Sequence, residues 1–269
     1  MNAIFHINSL SQMGAQMPRR TPALVELARA LGDSSLNLVV LAEGNVSERT
    51  GESTFAVKAS GRSMAKAEEG DIVEVRMASL LELLDDASAD DAAVSAALRD
   101  ARTNQNAAMP SVETLLHLVC QQLDDVQFVA HTHPVEVNAL LCSARPTALI
   151  EGALFPDQVV VLGRHQLLVP YADPGLPLAR LARQSIHDHV MAHGSNPKVI
   201  YLQNHGMFAL GRSANEAFNI TVMARKVAQI TLGALVAGGP IYLSDHAAER
   251  IDSREDEVAR RAELVRVRL

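Results

Sequence analysis

Short strand-forming segments follow one another through tight turns in this chain, with helical segments placed between them. Residues 46–49 and Thr54–Lys58 flank the turn Thr50-Gly51-Glu52, which is the pattern of two adjacent antiparallel strands. Residues 71–76 alternate polar and apolar side chains and predict a further strand. Strands therefore outnumber those of a simple β–α alternation, and we predict an α/β fold whose antiparallel or mixed sheet carries helices on its faces.

Apolar runs, capping residues and glycine breaks predict the remaining elements. Further strands are predicted at residues 126–130, around 159–162, at Leu167–Val169, Val199–Leu202 and 207–210. Helices are predicted at residues 23–31, at 111–122 with Ser111 as N-cap, at Leu176–His193 and from Ser213 to about 237. The charged, periodic residues 244–269 predict a terminal helix packed at a surface or subunit boundary. We interpret residues 1–269 as one domain, with a core of about 20–240 and this helical tail.

Charge and composition argue against several classes of protein. Lys and Arg number 24 against 31 Asp and Glu, and no basic stripe with interleaved aromatic residues occurs, so we expect no nucleic-acid partner. The two cysteines, Cys120 and Cys142, form no disulfide framework, which favours a reducing cytoplasm. The N-terminal sequence lacks the pattern of a signal peptide, and no long uncharged apolar run follows. We therefore expect a cytoplasmic location and no membrane span.

Two histidines follow a predicted buried strand in the motif His131-Thr132-His133. Side chains at positions i and i+2 of a strand point to the same side, so both imidazoles can face one point while Thr132 faces away. Neutral imidazole suits zinc and neighbouring transition metals. A His-x-His pair on its own is more often a core or surface pair than a metal site, so further ligands have to decide between these explanations.

His205 supplies a third candidate ligand. It lies in Gln203-Asn204-His205-Gly206, between two predicted strands, where Gly206 permits close approach of the backbone. A turn histidine bonded to backbone is the commoner explanation of such a residue alone. Together, however, three histidines with an open position form the ligand set of a catalytic metal site. We therefore predict a divalent transition metal on His131, His133 and His205 that stabilises an enolate-like intermediate.

Glu113 and His117 are four residues apart on a predicted helix and so share one of its faces. One interpretation is a surface pair. The other is that Glu113 lies near the metal and is the general acid/base that moves a proton next to a carbonyl. Its pKa would then be raised by partial burial or lowered by the metal.

Three other places offer backbone N–H groups or small hydroxyls to an anion, namely Gly44-Asn45, Ser60-Gly61 and Ser111. Such residues also form ordinary turns. Lys58 and Arg62 add positive charge beside the second place. A separate histidine group, His187, His189 and His193, lies on a predicted peripheral helix without an accompanying carboxylate or glycine motif, and we interpret it as structural.

Taken in order along the chain, these motifs resemble those of the class II aldolase/adducin family, which includes L-fuculose-1-phosphate and L-rhamnulose-1-phosphate aldolases. The resemblance runs from about residue 24 to residue 237. It rests on Gly44-Asn45-Val46-Ser47, Lys58-Ala59-Ser60-Gly61, Pro110-Ser111-Val112-Glu113 with His117, His131-Thr132-His133-Pro134 and Asn204-His205-Gly206. Five ordered motifs are far more specific than any one of them.

The resemblance implies a role for each matching residue. His131, His133 and His205 would hold Zn²⁺, with Mn²⁺, Co²⁺ or Fe²⁺ as alternatives, and Glu113 would be an acid/base that also ligates the metal before substrate arrives. The substrate phosphate would contact Asn45, Ser60, Gly61 and Ser111. The fold implied is an α/β/α three-layer arrangement around a mixed, largely antiparallel central sheet. The assembly implied is a homotetramer with active sites near subunit boundaries.

The reaction implied is retro-aldol cleavage of a phosphorylated ketose into a dihydroxyacetone-phosphate-like ketone and an aldehyde. Family relatives with the same metal centre decarboxylate or epimerise a sugar acid or sugar phosphate, and adducin head domains are non-catalytic scaffolds, so both remain alternatives. Val112 departs from the family pattern, because these aldolases commonly have a second small hydroxyl residue there. Tyr171 and Tyr242 are available as a further proton donor.

Overall fold

The computed structural model describes residues 21–266, and within that range seven strands form one sheet. The strands are β1 (Asn45–Arg49), β2 (Thr54–Lys58), β3 (Ile72–Arg76), β4 (Phe128–Thr132), β5 (Leu167–Val169), β6 (Val199–Leu202) and β7 (Gly206–Gly211). Their order across the sheet is β3-β2-β1-β4-β7-β6-β5. Neighbours are antiparallel except β5 and β6, which are parallel. The predicted mixed, largely antiparallel sheet is confirmed.

Helices cover both faces of this sheet. They are α1 (Thr21–Leu31), α2 (Ala78–Asp85), α3 (Asp91–Ala101), α4 (Thr114–Gln121), α5 (Val135–Leu141), α6 (Pro156–Leu162), α7 (Leu176–His193), α8 (Ala214–Val236), α9 (Asp245–Ser253) and α10 (Glu255–Arg266). Helices α2, α3, α4 and α7 pack on one face, and α1, α5 and α8 on the other. Along β7, Phe208 and Leu210 join the first core and Met207 and Ala209 the second, as the alternation of a strand requires. The α/β/α three-layer arrangement is confirmed.

Most predicted elements are found where expected. Thr54–Lys58, Leu167–Val169 and Val199–Leu202 are strands with the predicted bounds, and Leu176–His193 is the predicted helix. Ser213 caps α8, with its hydroxyl accepting a hydrogen bond from the N–H of Glu216 at 3.1 Å.

The strand predicted around residues 159–162 is wrong, because this segment belongs to helix α6. Pro156 lies in the first turn, where its fixed φ suits a helix start. Val159, Val160 and Leu162 are all buried, so the segment lacks the polar positions that give a helix its sequence period. A short helix enclosed on nearly all sides therefore has the same apolar pattern as a buried strand.

The prediction that Ser111 caps a helix is also wrong. Helix α4 begins at Thr114, with Glu113 at the N-cap position. The Ser111 carbonyl accepts the N–H of Thr114 at 3.0 Å in a turn before the helix, and a β-bridge between Ala59 and Pro110 holds the preceding segment. The Ser111 hydroxyl is buried and has no hydrogen-bond partner among residues 21–266. Glu113 is thus at the positive end of the helix dipole rather than inside the helix.

The C-terminal segment forms two helices rather than the single one predicted, and residues 267–269 lie outside the described range. Helix α9 packs on α6, and α10 packs on α8. Ser213 Oγ donates to the carbonyl of Val265, and Asn215 Nδ2 donates to that of Leu264. These bonds tie the segment to α8. Among the helices of residues 21–266, none is both long and apolar enough to cross a membrane.

Candidate metal centre

The pairing of β4 with β7 brings the two histidine motifs together. His131 of β4 pairs with Phe208 of β7, and Thr132 pairs with Met207. Because the strands are antiparallel, the end of β4 lies beside the start of β7, so His133 and His205 occupy the same edge of the sheet.

The N-terminus of α4 places Glu113 at the same point. Glu113 Oε1 lies 3.1 Å from Nε2 of His131 and 2.9 Å from Nε2 of His205. Nε2 of His133 lies 3.0 Å from Nε2 of His131. One ligand atom from each residue lies within 4.8 Å of all the others. Three residues from two strand ends and one from a helix start therefore converge on a single point.

Hydrogen bonding fixes which imidazole nitrogen faces this point. Nδ1 of His131 lies 3.0 Å from the carbonyl oxygen of Met207, which can only accept a hydrogen bond. Neutral His131 therefore carries its proton on Nδ1 and directs the Nε2 lone pair at the carboxylate oxygen of Glu113. A metal ion held between this nitrogen and the carboxylate oxygen would satisfy both acceptors. Three imidazoles and one carboxylate, with a carbonyl behind one ligand, form a donor set that fits a zinc-like divalent metal.

The ionisation states of His133 and Glu113 also suit metal binding. Burial lowers the pKa of His133 to about 3, and the electrostatic effect of the neighbouring His131 and His205 imidazoles acts in the same direction. Burial alone would raise the pKa of Glu113, but His131 and His205 outweigh it and hold the pKa well below the usual range of a carboxyl. At neutral pH the group therefore presents a neutral imidazole at His133 and an ionised carboxylate at Glu113, as metal ligation requires.

The stability of the metal-free protein should depend on pH. Burial, with a smaller electrostatic effect of the neighbouring His131, lowers the pKa of His117 to about 3, and the pKa of His133 is similar, against an ordinary value of 6.5. As the pH falls from 6.5, the unfolded chain takes up protons that the folded chain does not. The free energy of unfolding should then fall by about 1.4 kcal/mol per pH unit for each histidine. Urea unfolding in chelator at pH 7, 6 and 5 measures this slope, and equal midpoints at pH 7 and 5 would contradict it.

Close backbone approach explains the glycine in Asn204-His205-Gly206. A Cβ at Gly206 would lie 2.5 Å from Cδ2 of His133 and 2.7 Å from the carbonyl oxygen of Thr132. Both distances are well inside van der Waals contact. Gly44 is similar, with φ of +69° and a Cβ position 2.7 Å from the carbonyl oxygen of His131.

We expect Gly206→Ala to displace His133 and to weaken metal binding together with the fold, by about 1–3 kcal/mol in unfolding free energy. The matched control is Gly233→Ala in helix α8, where an added Cβ meets no atom of the described residues within 4 Å. That change should stabilise the protein by about 0.5–1 kcal/mol. Zinc titration and urea unfolding of both variants test the pair. Unchanged zinc affinity in Gly206→Ala would show that the contact with His133 is unimportant.

His117 is not the surface residue that one interpretation of its spacing allowed. It is fully buried, and its imidazole contacts Ser47 and Asn45. Asn45 Nδ2 in turn donates to Oε2 of Glu113 at 2.8 Å. Glu113 is therefore held on one oxygen by Asn45 and faces the histidines with the other.

The residues predicted to bind phosphate lie on adjacent segments. The N–H of Ser60 donates to the carbonyl of Met109 at 3.0 Å, which joins the Ser60-Gly61 loop to the segment leading into Ser111. The Nζ of Lys58 is buried beneath this loop and donates to the carbonyls of Ala59 and Arg62. Burial lowers the pKa of Lys58. Asn45 lies apart from this loop, beside Glu113. The four residues therefore lie at the same edge of the sheet, with Ser60, Gly61 and Ser111 in one group and Asn45 in another.

Two further contacts of the site were not predicted from sequence. Glu43 Oε2 lies 3.6 Å from Nδ1 of His133, on the side away from the other ligands. Phe208 stacks on the imidazole of His131, with ring centroids 4.3 Å apart. The position of Glu43 just before Gly44 and the alternation of β7 were the available signals, but neither identifies a partner without the strand register.

The second histidine group lies elsewhere. The rings of His165 and His193 stack face to face with centroids 4.0 Å apart, His189 contacts His193, and His187 is exposed. His165 and His193 line a cavity of 540 Å³ that also contains Lys198 and Arg212, at the opposite edge of the sheet. Among the residues that the structure describes, only Glu113, His131, His133 and His205 form a group able to hold a metal ion.

Comparison with known proteins agrees with this geometry. The Class II Aldolase and Adducin N-terminal domain family matches residues 22–232. The chain belongs to this family. The resemblance inferred from the five motifs is thereby confirmed, and the family match spans the strands and loops that carry all four members of the candidate site. The chain matches no curated protein sequence.

Solved structures of the same fold include an L-fuculose 1-phosphate aldolase, with 21% identity and a TM-score of 0.66 over 86% of this chain and 93% of that chain. YgbL of Escherichia coli, provisionally an aldolase, epimerase or decarboxylase, has 18% identity and a TM-score of 0.65 over 87% and 97%. The N-terminal class II aldolase domain of a conserved protein from Thermoplasma acidophilum has 22% identity and a TM-score of 0.63 over 86% and 100%. These likenesses show the fold.

Proposed function

We propose that the protein is a metal-dependent lyase that cleaves a phosphorylated ketose by retro-aldol chemistry into a dihydroxyacetone-phosphate-like ketone and an aldehyde. The observation that carries the proposal is the convergence of Glu113, His131, His133 and His205 within 4.8 Å. The three histidines would hold the metal, with Zn²⁺ favoured by the donor set. When bound, the metal supplies Lewis-acid stabilisation of the negative charge that develops as a carbon–carbon bond breaks.

Glu113 is the proposed general acid/base. Its Oε2 accepts from Asn45, so Oε1, next to His131 and His205, is the oxygen available for proton exchange. We propose that this oxygen transfers the proton at the carbon next to the substrate carbonyl. Before substrate arrives, the same oxygen would also ligate the metal.

Asn45, Ser60, Gly61 and Ser111 are the proposed phosphate contacts. Supporting this, the buried hydroxyl of Ser111 has no hydrogen-bond partner in the described part of the chain, and the Ser60-Gly61 loop lies against the segment that carries it. The ammonium of Lys58 beneath the loop adds positive charge. Sugar phosphates are therefore the proposed substrates.

The proposed assembly is a homotetramer with its sites near subunit boundaries. Val40 and Val135 are exposed apolar residues that line the same cavity as His133, and Leu41, next to Val40, is 92% exposed with φ of 54°. Apolar side chains at the rim of a polar site are typical of surfaces covered by another subunit. We propose a single domain for each protomer.

A decarboxylase or epimerase acting on a sugar acid or sugar phosphate is the second candidate. Val112, which is 45% exposed beside Ser111, offers no hydroxyl to a phosphate and favours this alternative. A non-catalytic scaffold is disfavoured because the ligand set is complete in both sequence and space.

A substrate screen separates these candidates. Pentulose and hexulose 1-phosphates and a 3-oxo acid phosphate are each incubated with zinc-loaded protein, with and without chelator. Metal-dependent release of aldehyde from a ketose phosphate supports the lyase. Metal-dependent release of carbon dioxide from the oxo acid, or a change of stereochemistry without cleavage, would replace it by the second candidate.

A further inference from the structure

A line of buried polar side chains lies behind Glu113. On α4 and the turn before it, Glu113, His117 and Gln121 are four residues apart and share one face, while Asn45 and Ser47 are two apart on β1 and face that helix. Asn45, Ser47, His117 and Gln121 are each at most 4% exposed. Side chains from the helix and side chains from the strand therefore alternate along this line.

Every hydrogen bond in this line can run in one direction. Gln121 Nε2 donates to Ser47 Oγ at 2.9 Å, which leaves the Ser47 hydroxyl proton for Nδ1 of His117 at 2.7 Å. His117 then carries its own proton on Nε2 and donates it to Oδ1 of Asn45. Asn45 Nδ2 donates to Oε2 of Glu113 at 2.8 Å.

The opposite end of the line requires the same direction. An ionised carboxylate can only accept hydrogen bonds, so Asn45 must turn its NH₂ group towards Glu113 and its oxygen towards His117. His117 Nε2 must then be the donor and its Nδ1 the acceptor. Reversing the Asn45 amide would place two acceptor oxygens against each other in a buried setting, where such a contact is most unfavourable.

We propose that His117 is a positioning residue that acts on Glu113 through Asn45. As the tautomer selected by Ser47, it fixes the Asn45 amide, and this amide holds Oε2 of Glu113 so that Oε1 faces His131 and His205. The contact of Phe208 with the His117 ring, at 5.2 Å between centroids, supports the ring from the sheet side. The catalytic consequence rests on the proposed function, whereas the orientation of Glu113 does not.

The test compares three variants of the zinc-loaded protein. His117→Phe removes both hydrogen bonds while filling the space. His117→Gln keeps an acceptor for Ser47 and a donor for Asn45. Leu118→Ala is the control, since Leu118 is a fully buried residue of the same helix that takes no part in the line. Each variant is characterised by circular dichroism, zinc content, steady-state kinetics and a crystal structure.

We expect His117→Phe to lower kcat by about 10- to 100-fold with zinc content nearly unchanged and a smaller change in KM, because the acid/base loses its orientation and Asn45 loses one of its partners. His117→Gln should recover most of kcat, and Leu118→Ala should lose stability but keep kcat. The crystal structure of His117→Phe should show Glu113 turned away from Asn45.

Several results would overturn the proposal. These are wild-type kcat in folded His117→Phe, no recovery in His117→Gln, or an equal loss of kcat in Leu118→Ala. If the wild type cleaves no ketose phosphate, the proposed function fails and the crystal structures alone decide. Glu113 in its original orientation in His117→Phe would then reject the positioning role. If His117→Phe does not fold, the structure of His117→Gln decides. Glu113 still bonded to Asn45 in that variant supports the role, and Glu113 turned away although the new side chain bonds Asn45 rejects it.

Discussion

Replacing His131 by alanine should abolish stoichiometric metal binding and lower kcat/KM by at least about 10³-fold. His131 is the central member of the group, since its Nε2 contacts both Glu113 and His133, and its Nδ1 is fixed by the carbonyl of Met207. Its loss would leave two imidazoles and the carboxylate of Glu113, without the ligand that contacts both Glu113 and His133. Elemental analysis of the purified protein and steady-state kinetics measure the two effects.

The matched control is His187→Ala, because His187 is an exposed histidine on α7 away from the site. It should keep the metal stoichiometry and kcat/KM of the wild type. Equal metal content in His131→Ala and His187→Ala would show that the metal, if any, binds elsewhere. Circular dichroism of both proteins excludes unfolding as the cause of a difference.

Replacing Glu113 by glutamine should lower kcat by about 10³-fold while metal remains bound, because an amide cannot exchange the proton but three histidines still ligate. This outcome differs from that of His131→Ala, in which metal and activity are lost together. The distinction follows from the geometry, in which Glu113 contacts His131 and His205 through one oxygen and Asn45 through the other. Kinetics and zinc content on the same preparation separate the two roles.

Glu136→Gln provides the comparison for Glu113→Gln. Glu136 is paired with Arg225 through both carboxylate oxygens and takes no part in the site. It should retain wild-type kcat. A near-wild-type kcat in Glu113→Gln would contradict the acid/base role. Loss of metal from that variant would show that Glu113 is an essential metal ligand instead.

Much of the fold was predictable because local patterns and tertiary structure agree. The alternation of residues 71–76 and the turn after β1 define three of the antiparallel strands, and buried apolar runs define β6 and β7. Helix α6 was missed because burial on nearly all sides removes the 3.6-residue period. Helix α4 begins later than its serine suggested, because Pro110 is held by a β-bridge to Ala59 and Ser111 starts a turn that leads into Thr114.

The site was predictable only in part. The spacing of His131 and His133 predicts that their side chains lie on the same side of a strand. The convergence of His205 and Glu113 on them depends instead on the pairing of β4 with β7 and on where α4 begins. The direction of the Asn45 amide depends on partners about 70 residues away in sequence. Such contacts between elements have no local signal.

Anomalous X-ray diffraction from crystals grown with zinc, recorded on both sides of the zinc absorption edge, tests the metal centre most directly. We predict one strong peak about 2.0–2.1 Å from Nε2 of each of His131, His133 and His205. Well-ordered crystals with no peak at this position, and with Glu113 hydrogen-bonded directly to His131 and His205, would contradict the account.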